Sequence, residues 1–174
     1  MPMHSLHHPG RIALVALAVA VLALVAIAIG ARSPASAQDP ATRVLKLTEL
    51  EQGSTFKHVR NTKTASQRAN SSGDLIVFTN PLADTAGKRV GRLHVQCVTT
   101  TGSSNFLASK LTCNGVMVLP GGTLSLQAIV GPNVPTTNAA ITGGTGVYAN
   151  ARGVVVSTER RNGNSDDTIT LVGG

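Results

Sequence analysis

The sequence has few aromatic residues, little cysteine and no long run of one charge. Among 174 residues there are three phenylalanines, one tyrosine and two cysteines, and tryptophan is absent. Nucleic-acid-binding domains usually combine a clustered basic face with aromatic platforms, whereas the 15 lysines and arginines of this chain are scattered. The formal net charge of +7 is therefore interpreted as a contribution to solubility, and no nucleic-acid partner is predicted.

Motifs that would identify an enzyme class are also missing. There is no CxxC and no GxSxG, and the chain beyond residue 37 has two histidines, His58 and His94. Residues 144–149 (GTGVYA) fit a form of the dinucleotide fingerprint, but Gly153 and three valines follow where the fingerprint needs a helix. These glycines are interpreted as a sharp corner between strands. No cofactor and no metal site is predicted.

The one long hydrophobic run lies at the N-terminus. Residues 12–29 are apolar without interruption, Arg11 precedes them, and residues 35–37 (ASA) form a small-x-small cleavage site. This pattern predicts a signal peptide over residues 1–37, cut before Gln38. The alternative is a retained anchor, since a run of this length can just span a bilayer, and only then would the protein contact a membrane. Either way we expect a secreted or extracytoplasmic protein, with a tether at 38–42 and one domain at 43–174.

Beyond residue 42, apolar and polar residues alternate with the period of β-strands. The stretch 74–101 contains two such runs, with inward faces formed by Ile76, Phe78 and Asn80 and by Leu93, Val95 and Cys97. Seven or eight short strands with turn signals between them, and no convincing amphipathic helix, predict an all-β fold. The spacing suits either a closed antiparallel barrel or a sandwich. A barrel of about eight strands can hold one small ligand.

Polar residues on these apolar faces are the candidate functional residues. Asn80 and Cys97 end the two inward stripes, and Glu49 shares a strand face with Leu45 and Leu47. A polar group in an apolar interior needs a partner, a water molecule or a ligand. The alternative for Glu49 is a strand-end carboxylate that reaches solvent, and the pattern leaves both possibilities open.

The segment around Asn105 is predicted to be a hairpin that carries both cysteines. Cys97 and Cys113 stand at equal distances from its centre, so they can lie opposite each other on adjacent strands. In an oxidising compartment the default is a disulfide, and the alternative is two free buried thiols. The second strand of this hairpin is expected over residues 107–119, with a bulge at Asn114-Gly115. Farther along the chain, a loop is expected over residues 131–138 and the last strand over residues 168–172.

Several segments together resemble the allene oxide cyclase family and its bacterial exported relatives. They are residues 73–80 (GDLIVFTN), 88–91 (KRVG), 96–98 (QCV), 122–127 (GTLSLQ) and 141–153 (ITGGTGVYANARG). The last segment also resembles the dirigent proteins, and the similarity extends over roughly residues 43–172. It implies a closed antiparallel eight-stranded barrel around an apolar cavity. The plant proteins are often trimeric, so a homodimer or homotrimer is an expectation.

The resemblance also implies roles for particular residues. In the plant cyclases a first-strand carboxylate promotes opening of a fatty-acid epoxide, and Glu49 stands at the matching position. Asn80 and Ser54 match an asparagine and a serine that hold a water molecule against the developing oxyanion. On this basis Glu49 and Asn80 are the predicted catalytic residues, and the predicted cavity residues are Ser54, Leu47, Phe78, Val95 and Cys97.

Three departures from the plant pattern separate the functional hypotheses. Thr55 replaces a water-binding proline, Cys113 could lock Cys97 into a disulfide, and the aromatic residues are few. We expect an exported barrel that binds an apolar small molecule or lipid and steers its cyclisation or isomerisation. If the protein is an enzyme, it is an isomerase of the cyclase type. The alternatives are a dirigent-like guide of intermediates made by a separate oxidase, and a non-catalytic lipid carrier or envelope interaction barrel.

Overall fold

The structure is a computed structural model that describes residues 42–61, 71–131 and 134–173. These residues belong to the compact unit Pro40–Gly174. The predicted signal peptide or anchor, residues 1–37, lies outside the described residues and stays a prediction. Within the described ranges, no helix has the length and apolar character needed to cross a membrane.

Short β-strands joined by tight turns account for most of the described chain. Aliphatic and β-branched residues alternate with polar ones along most of them, which favours a pleated sheet with one buried face. Two single-turn 3-10 helices, Phe106–Ala108 and Gly146–Tyr148, interrupt the strands. The strands are β1 (Thr42–Glu49), β2 (Thr55–Val59), β3 (Leu75–Ala83), β4 (Arg89–Thr101), β5 (Lys110–Leu119), β6 (Gly122–Val130), β7 (Thr136–Gly144), β8 (Arg152–Glu159) and β9 (Ser165–Val172).

The strands close into an eight-stranded antiparallel barrel. Strands that are consecutive in the chain pair with each other from β2 to β9, and β9 pairs with β1. The ring closes where β1 pairs with β3, with Glu49 opposite Leu82. β2 pairs farther along β3, with Thr55 opposite Thr79, so β1 and β2 share one of the eight positions. The predicted closed barrel is confirmed, and the sandwich alternative is wrong.

The ribbon of β3 and β4 shows how alternation builds the interior. Its register sets the two inward stripes opposite each other, in the pairs Ile76 with Cys97, Phe78 with Val95, and Asn80 with Leu93. Because successive residues of a strand point to opposite faces, this register turns both stripes to the same side of the sheet. The faces predicted for the two runs are therefore those of the folded barrel.

The interior contains a larger and a smaller apolar cluster. The larger includes fully buried side chains such as Ile169, and the smaller surrounds Cys97 and Cys113. Phe78 and Val95 pack against both clusters without being fully buried. Incomplete burial at the junction of the two clusters indicates that space remains inside the barrel there.

The glycine-rich segment after β7 forms the predicted corner. Gly146 has a φ of 61°, and a Cβ atom at this position would collide with the carbonyl oxygen of Gly121. Glycine alone fits such a position without strain. The N–H of Val147 donates to that same carbonyl at 2.9 Å, and the chain enters β8 at Arg152 rather than a long helix. The segment is a strand corner and not a dinucleotide-binding turn.

The bulge predicted at Asn114-Gly115 is wrong. Both residues pair in regular register with β4, and the register shift lies between Thr99 and Thr101. Gly115 faces Val95 across the ladder, so it removes side-chain volume from the interior instead of kinking the strand. The sequence thus indicated correctly that Gly115 is an unusual position, but the prediction that it forms a bulge was wrong.

Several strand ends also differ from the expectation. β5 begins only at Lys110, because residues 106–108 form a 3-10 turn instead of strand. β7 begins at Thr136, directly after Pro135, so the loop expected over 131–138 is shorter. A proline is tolerated just before a strand, where no ladder hydrogen bond is needed from its nitrogen. β9 begins at Ser165, three residues ahead of the expected start, and this difference matters for the site.

Candidate functional site

The first strand, β1, ends at a residue with a carboxylate side chain, Glu49, and a turn separates it from β2. β1 stops at Glu49 and β2 starts at Thr55, and the connecting turn contains Gly53 with a φ of 90°. Such a backbone conformation strongly favours glycine. Glu49 keeps the face of Leu45 and Leu47, both of which pack against the larger apolar cluster. Its side chain is therefore carried to the interior at the point where the barrel closes.

Two arginines of β4 hold the connecting turn in place. Arg89 donates from Nη2 to the carbonyl oxygen of Gln52 at 2.9 Å. Arg92 donates from Nη1 to the carbonyl oxygen of Gly53 at 3.3 Å and to Oγ1 of Thr79 at 2.9 Å. These bonds satisfy carbonyl groups that the interrupted ladder leaves without strand partners. The sequence analysis did not anticipate this role.

Asn80 contacts Glu49 across the closing pair of strands. Its Nδ2 donates to Oε2 of Glu49 at 2.6 Å, and both side chains are half-buried. A hydrogen bond to a carboxylate is shorter and stronger than one between neutral groups. The structure thus brings together the two residues predicted to be catalytic. Glu49 lies on the wall of an internal cavity and not at a solvent-exposed strand end.

A second carboxyl group, that of Asp167 in β9, lies beside Glu49 and was missing from the prediction. Asp167 is opposite Leu47 in the ladder and is 1% exposed. Neither carboxyl oxygen has a well-formed hydrogen bond to any described residue, although the hydroxyl of Ser157 is close enough to favour the ionised form. Burial, followed by the negative charge of Glu49, raises the pKa of Asp167 to about 8.

At neutral pH the carboxyl group of Asp167 keeps its proton, because its pKa of about 8 lies above the pH. Burial raises the pKa of Glu49, and the hydrogen bond from Asn80, together with the nearby carboxyl group of Asp167, opposes this change. Because two adjacent buried carboxyls cannot both ionise without a large electrostatic penalty, the pair titrates as a unit. Of the two groups, Glu49 is better stabilised as an anion, because Asn80 donates a hydrogen bond to it, and Asp167 carries the proton. Among the described residues, no lysine, arginine or histidine forms an ion pair with either group.

The alternation rule could have found Asp167. Asp167, Ile169 and Leu171 share one face of β9, and both aliphatic side chains are buried. The predicted strand began at Thr168, which left the acidic residue in the preceding turn. Starting the strand at Ser165, where the structure has it, places a carboxyl group on an apolar stripe. This is the same signal that identified Glu49.

An apolar cavity of about 260 Å³ adjoins the carboxyl pair. Besides Glu49, its wall includes Phe78, Val95 and Gly115, and the missing side chain of Gly115 leaves part of this space open. A second and more open pocket of about 510 Å³ shares Phe78, Cys97, Val130 and Gly131 with it. Ligand pockets commonly span about 300–1,000 Å³, so the two connected spaces suit a compact small molecule.

The predicted cavity residues do not all face this cavity. Phe78, Val95 and Cys97 are on its wall. Ser54 is exposed and lies on the wall of the second pocket, which Asn80 also lines. Leu47 packs against the larger apolar cluster and borders neither of these two pockets. Leu47 lies instead on the wall of a third pocket, which Asp167 also lines.

The predicted disulfide is present on the cavity wall. Cys97 and Cys113 are paired directly across β4 and β5 and are joined by an S–S bond of 2.01 Å. Both are almost fully buried, and both line the 260 Å³ cavity. The alternative of two free thiols is wrong. Neither sulfur is available as a thiolate nucleophile while the bond is intact.

A third buried carboxylate, Asp74, has a structural role. It accepts hydrogen bonds from the backbone N–H of Asn61 at 2.7 Å and of Ser71 at 3.0 Å, and from Nε2 of His58 at 3.2 Å. Burial raises its pKa, but these hydrogen bonds and the nearby His58 outweigh burial and lower the pKa below the ordinary value. Over the described ranges, no group of three or more histidine, cysteine or acidic side chains is arranged to hold a metal ion.

Comparisons with solved structures show the same barrel in other proteins. A pyocyanin demethylase superposes with a TM-score of 0.58 at 22% identity, over 76% of this chain and 100% of that one. The pterocarpan synthase dirigent protein PsPTS1 gives a TM-score of 0.56 at 16% identity, over 78% and 97%. A nonspecific heme-binding cyclase of neoabyssomicin biosynthesis gives 0.56 at 13% identity, over 100% and 84%. Likeness at these identities establishes the fold and not the activity.

Sequence comparison identifies the family directly. No curated protein sequence matches the chain. The sequence profile of dirigent-like proteins, in contrast, matches residues 46–172, which include the complete barrel apart from the first residues of β1. This match agrees with the resemblance seen in the glycine-rich corner and with the solved barrels. The chain therefore belongs to the dirigent-like protein family.

Proposed function

We propose that the barrel takes a compact apolar molecule into its cavity and steers its cyclisation or isomerisation. The observation that carries this proposal is the pair of adjacent carboxyl groups, Glu49 and the buried Asp167, at the edge of an otherwise largely apolar cavity. An apolar wall binds and folds the ligand, and the carboxyl pair supplies one acid and one anion. Substrate and product of such a reaction are isomers, so no co-reactant is required.

The carboxyl pair is suited to charge that develops during ring closure. The protonated Asp167 can deliver its proton, through Glu49, to an epoxide or carbonyl oxygen, and the same proton returns when the product forms. The carboxylate of Glu49 stabilises positive charge that develops on carbon, and Asn80 holds it in position. Acid–base catalysis of this kind contributes about 10²–10⁴-fold, and confinement of the ligand in a reactive conformation up to about 7–11 kcal/mol.

The solved barrels with the same fold support small-molecule chemistry as the general role. They are described as a demethylase of pyocyanin, a cyclase and a pterocarpan synthase. The family match also favours a second candidate, in which the barrel only orients a reactive intermediate that a separate oxidase produces. The two candidates differ in one observable: a cyclase or isomerase converts its ligand alone, whereas a guide requires the oxidase.

Filling the cavity tests whether the barrel binds ligands inside. We expect the neutral fluorescent compound N-phenyl-1-naphthylamine to bind the wild type, and Gly115→Val to weaken binding by about tenfold or more. A Cβ atom at Gly115 would lie 3.4 Å from Val95 Cγ2, so the new side chain fits the fold while it occupies the cavity. Val116→Ile, on the exposed face of the same strand, is the matched control. Equal affinity of all three proteins would contradict internal binding.

Turnover is tested with the ligand that accompanies the protein. Native mass spectrometry of protein isolated from its own cells, followed by organic extraction, identifies a bound compound. We expect the ligand-free wild type to convert the extracted compound into an isomer of equal mass, and Glu49→Gln to bind it without conversion. Conversion that occurs only after addition of an oxidase supports the guide. No conversion under either condition rejects both candidates and leaves a carrier.

A further inference from the structure

The charged residues that border the barrel interior are acidic. Glu49 lies on the wall of the 260 Å³ cavity, and Glu159, which is exposed to solvent, lies on the wall of the second pocket. Asp167 approaches Glu49 from β9 and lines the third pocket, which Lys46 and Arg160 also border. No lysine or arginine belongs to the described wall of either of the first two pockets. The side chain of Lys110 reaches the neighbourhood of Gly131 at the rim, but Lys110 itself is exposed to solvent. Within the described residues, the wall of the 260 Å³ cavity thus carries the carboxyl group of Glu49 and no basic side chain.

We propose that the ligand of this cavity carries a basic nitrogen and binds as a cation against Glu49 and Asp167. This inference rests on the proposed function, and it names the chemical class of the ligand as a compact apolar amine or nitrogen heterocycle. An uncompensated buried negative charge is unfavourable, and the missing partner is a positive charge. The ligand supplies that charge, and the apolar wall binds its hydrocarbon part.

The same geometry disfavours the ligand class that the resemblance to plant cyclases implied. A fatty-acid derivative carries a carboxylate, which would bring a further negative charge towards Glu49 and Glu159. Like charges at close range in a medium of low polarity repel strongly. The described walls offer no arginine or lysine to compensate. A fatty-acid carboxylate therefore fits the described interior poorly.

Binding of a cation also changes the proton content of the site. Without a ligand, Asp167 keeps its proton, because a second negative charge next to Glu49 is unfavourable. A positive charge beside the pair makes double ionisation favourable, so Asp167 releases its proton to the buffer when the cation enters. The ligand enters already protonated and keeps its own proton. A neutral ligand of the same shape leaves the proton of Asp167 in place and releases none.

Three probes with one hydrocarbon cage and different polar groups test this inference. They are 1-aminoadamantane, 1-adamantanol and 1-adamantanecarboxylate, titrated calorimetrically at neutral pH in two buffers of different ionisation enthalpy. We expect the amine to bind at least about tenfold more tightly than the alcohol, and the carboxylate at least about tenfold more weakly. We also expect proton release with the amine and none with the alcohol.

Variants assign the preference to the carboxyl pair. The double variant Glu49→Gln with Asp167→Asn should bind the amine and the alcohol equally and release no proton. Asp166→Asn, on the opposite and exposed face of β9, should keep the preference of the wild type. Binding of the alcohol without any advantage for the amine, or an advantage that persists in the double variant, would overturn this inference alone. Failure of all three probes to bind would overturn the proposed function as well.

Discussion

Replacement of Asp167 by asparagine should stabilise the protein at neutral pH and remove much of the pH dependence of its stability. Asp167 is buried beside Glu49 and has no cationic partner among the described residues. Asparagine has nearly the same shape, cannot ionise, and can donate a hydrogen bond to Glu49. The change therefore removes an unfavourable ionisation from the folded protein and keeps the packing.

The sign of the effect follows from the two pKa values of Asp167. In the unfolded chain the group has its ordinary pKa of 3.8, and in the folded protein the pKa is about 8. Its contribution to the free energy of unfolding is greatest below pH 4 and is lost as the pH rises towards 8. The linkage relation sets this loss at about 1.4 kcal/mol for each pH unit. Between pH 5 and pH 7 the loss from Asp167 amounts to about 3 kcal/mol.

Groups next to Asp167 also affect its pKa and the pH dependence of the stability. Glu49 and Ser157 face Asp167 from β1 and β8, and Asp166 adds negative charge from the same strand. The pKa of Glu49 is raised as well, so its ionisation also lowers the free energy of unfolding as the pH rises. Ionisation of groups remote from the site is common to the wild type and the variant. Those contributions cancel when the two pH profiles are subtracted.

Urea unfolding at pH 5, 6 and 7, followed by far-UV circular dichroism, measures the two profiles. We expect the free energy of unfolding of Asp167→Asn, relative to wild type, to rise by up to about 3 kcal/mol from pH 5 to pH 7. The control is Asp166→Asn, which alters a largely exposed side chain that pairs with Arg160. It should keep most of the wild-type slope, because the charge of Asp166 makes the smallest of the contributions to the pKa of Asp167. If the slope of Asp167→Asn equals that of the wild type, Asp167 is not a buried proton carrier and the reasoning fails.

Further predictions concern the N-terminus, the disulfide and the buried Asp74. N-terminal sequencing of the protein isolated from its own cells should return Gln38 as the first residue, and intact Met1 in a membrane fraction would instead indicate an anchor. The combined change Cys97→Ala and Cys113→Ala should lower the free energy of unfolding by about 3 kcal/mol on the chain-entropy relation, and an unchanged urea midpoint would contradict this. Asp74→Ala should lower the free energy of unfolding by about 2–3 kcal/mol, because the substitution removes a carboxylate that accepts several hydrogen bonds. A change below about 0.5 kcal/mol in urea unfolding, which is the level of an ordinary surface substitution, would refute that role.

Much of the barrel could be predicted from the sequence because alternation and turn residues are local signals. The inward stripes of β3 and β4 were assigned correctly, since a residue's face depends only on the period of the strand. The positions of Cys97 and Cys113 followed from their equal distances to one hairpin. Strand ends were predicted less well, because a terminal residue is strand only if a neighbouring chain segment pairs with it. The bulge expected at Gly115 failed for a related reason: the sequence shows that a side chain is missing but not what occupies the space.

One part of the candidate site could likewise be predicted from the sequence, and another part is visible only in the structure. The sequence by itself determined that Glu49 and Asn80 share strand faces with apolar residues, because a residue's face follows from alternation, but it left open whether Glu49 reaches solvent. Only the tertiary structure decided that Glu49 lies next to Asp167. This contact depends on the register of β1 against β9, which are the first and last strands of the domain in the sequence. Closure of the barrel withdraws both carboxyl groups from water, which raises both pKa values, and it also brings Glu49 next to Asp167, which raises the pKa of Asp167 further. The raised pKa of Asp167 is therefore a property of the closed barrel, and neither strand determines it alone.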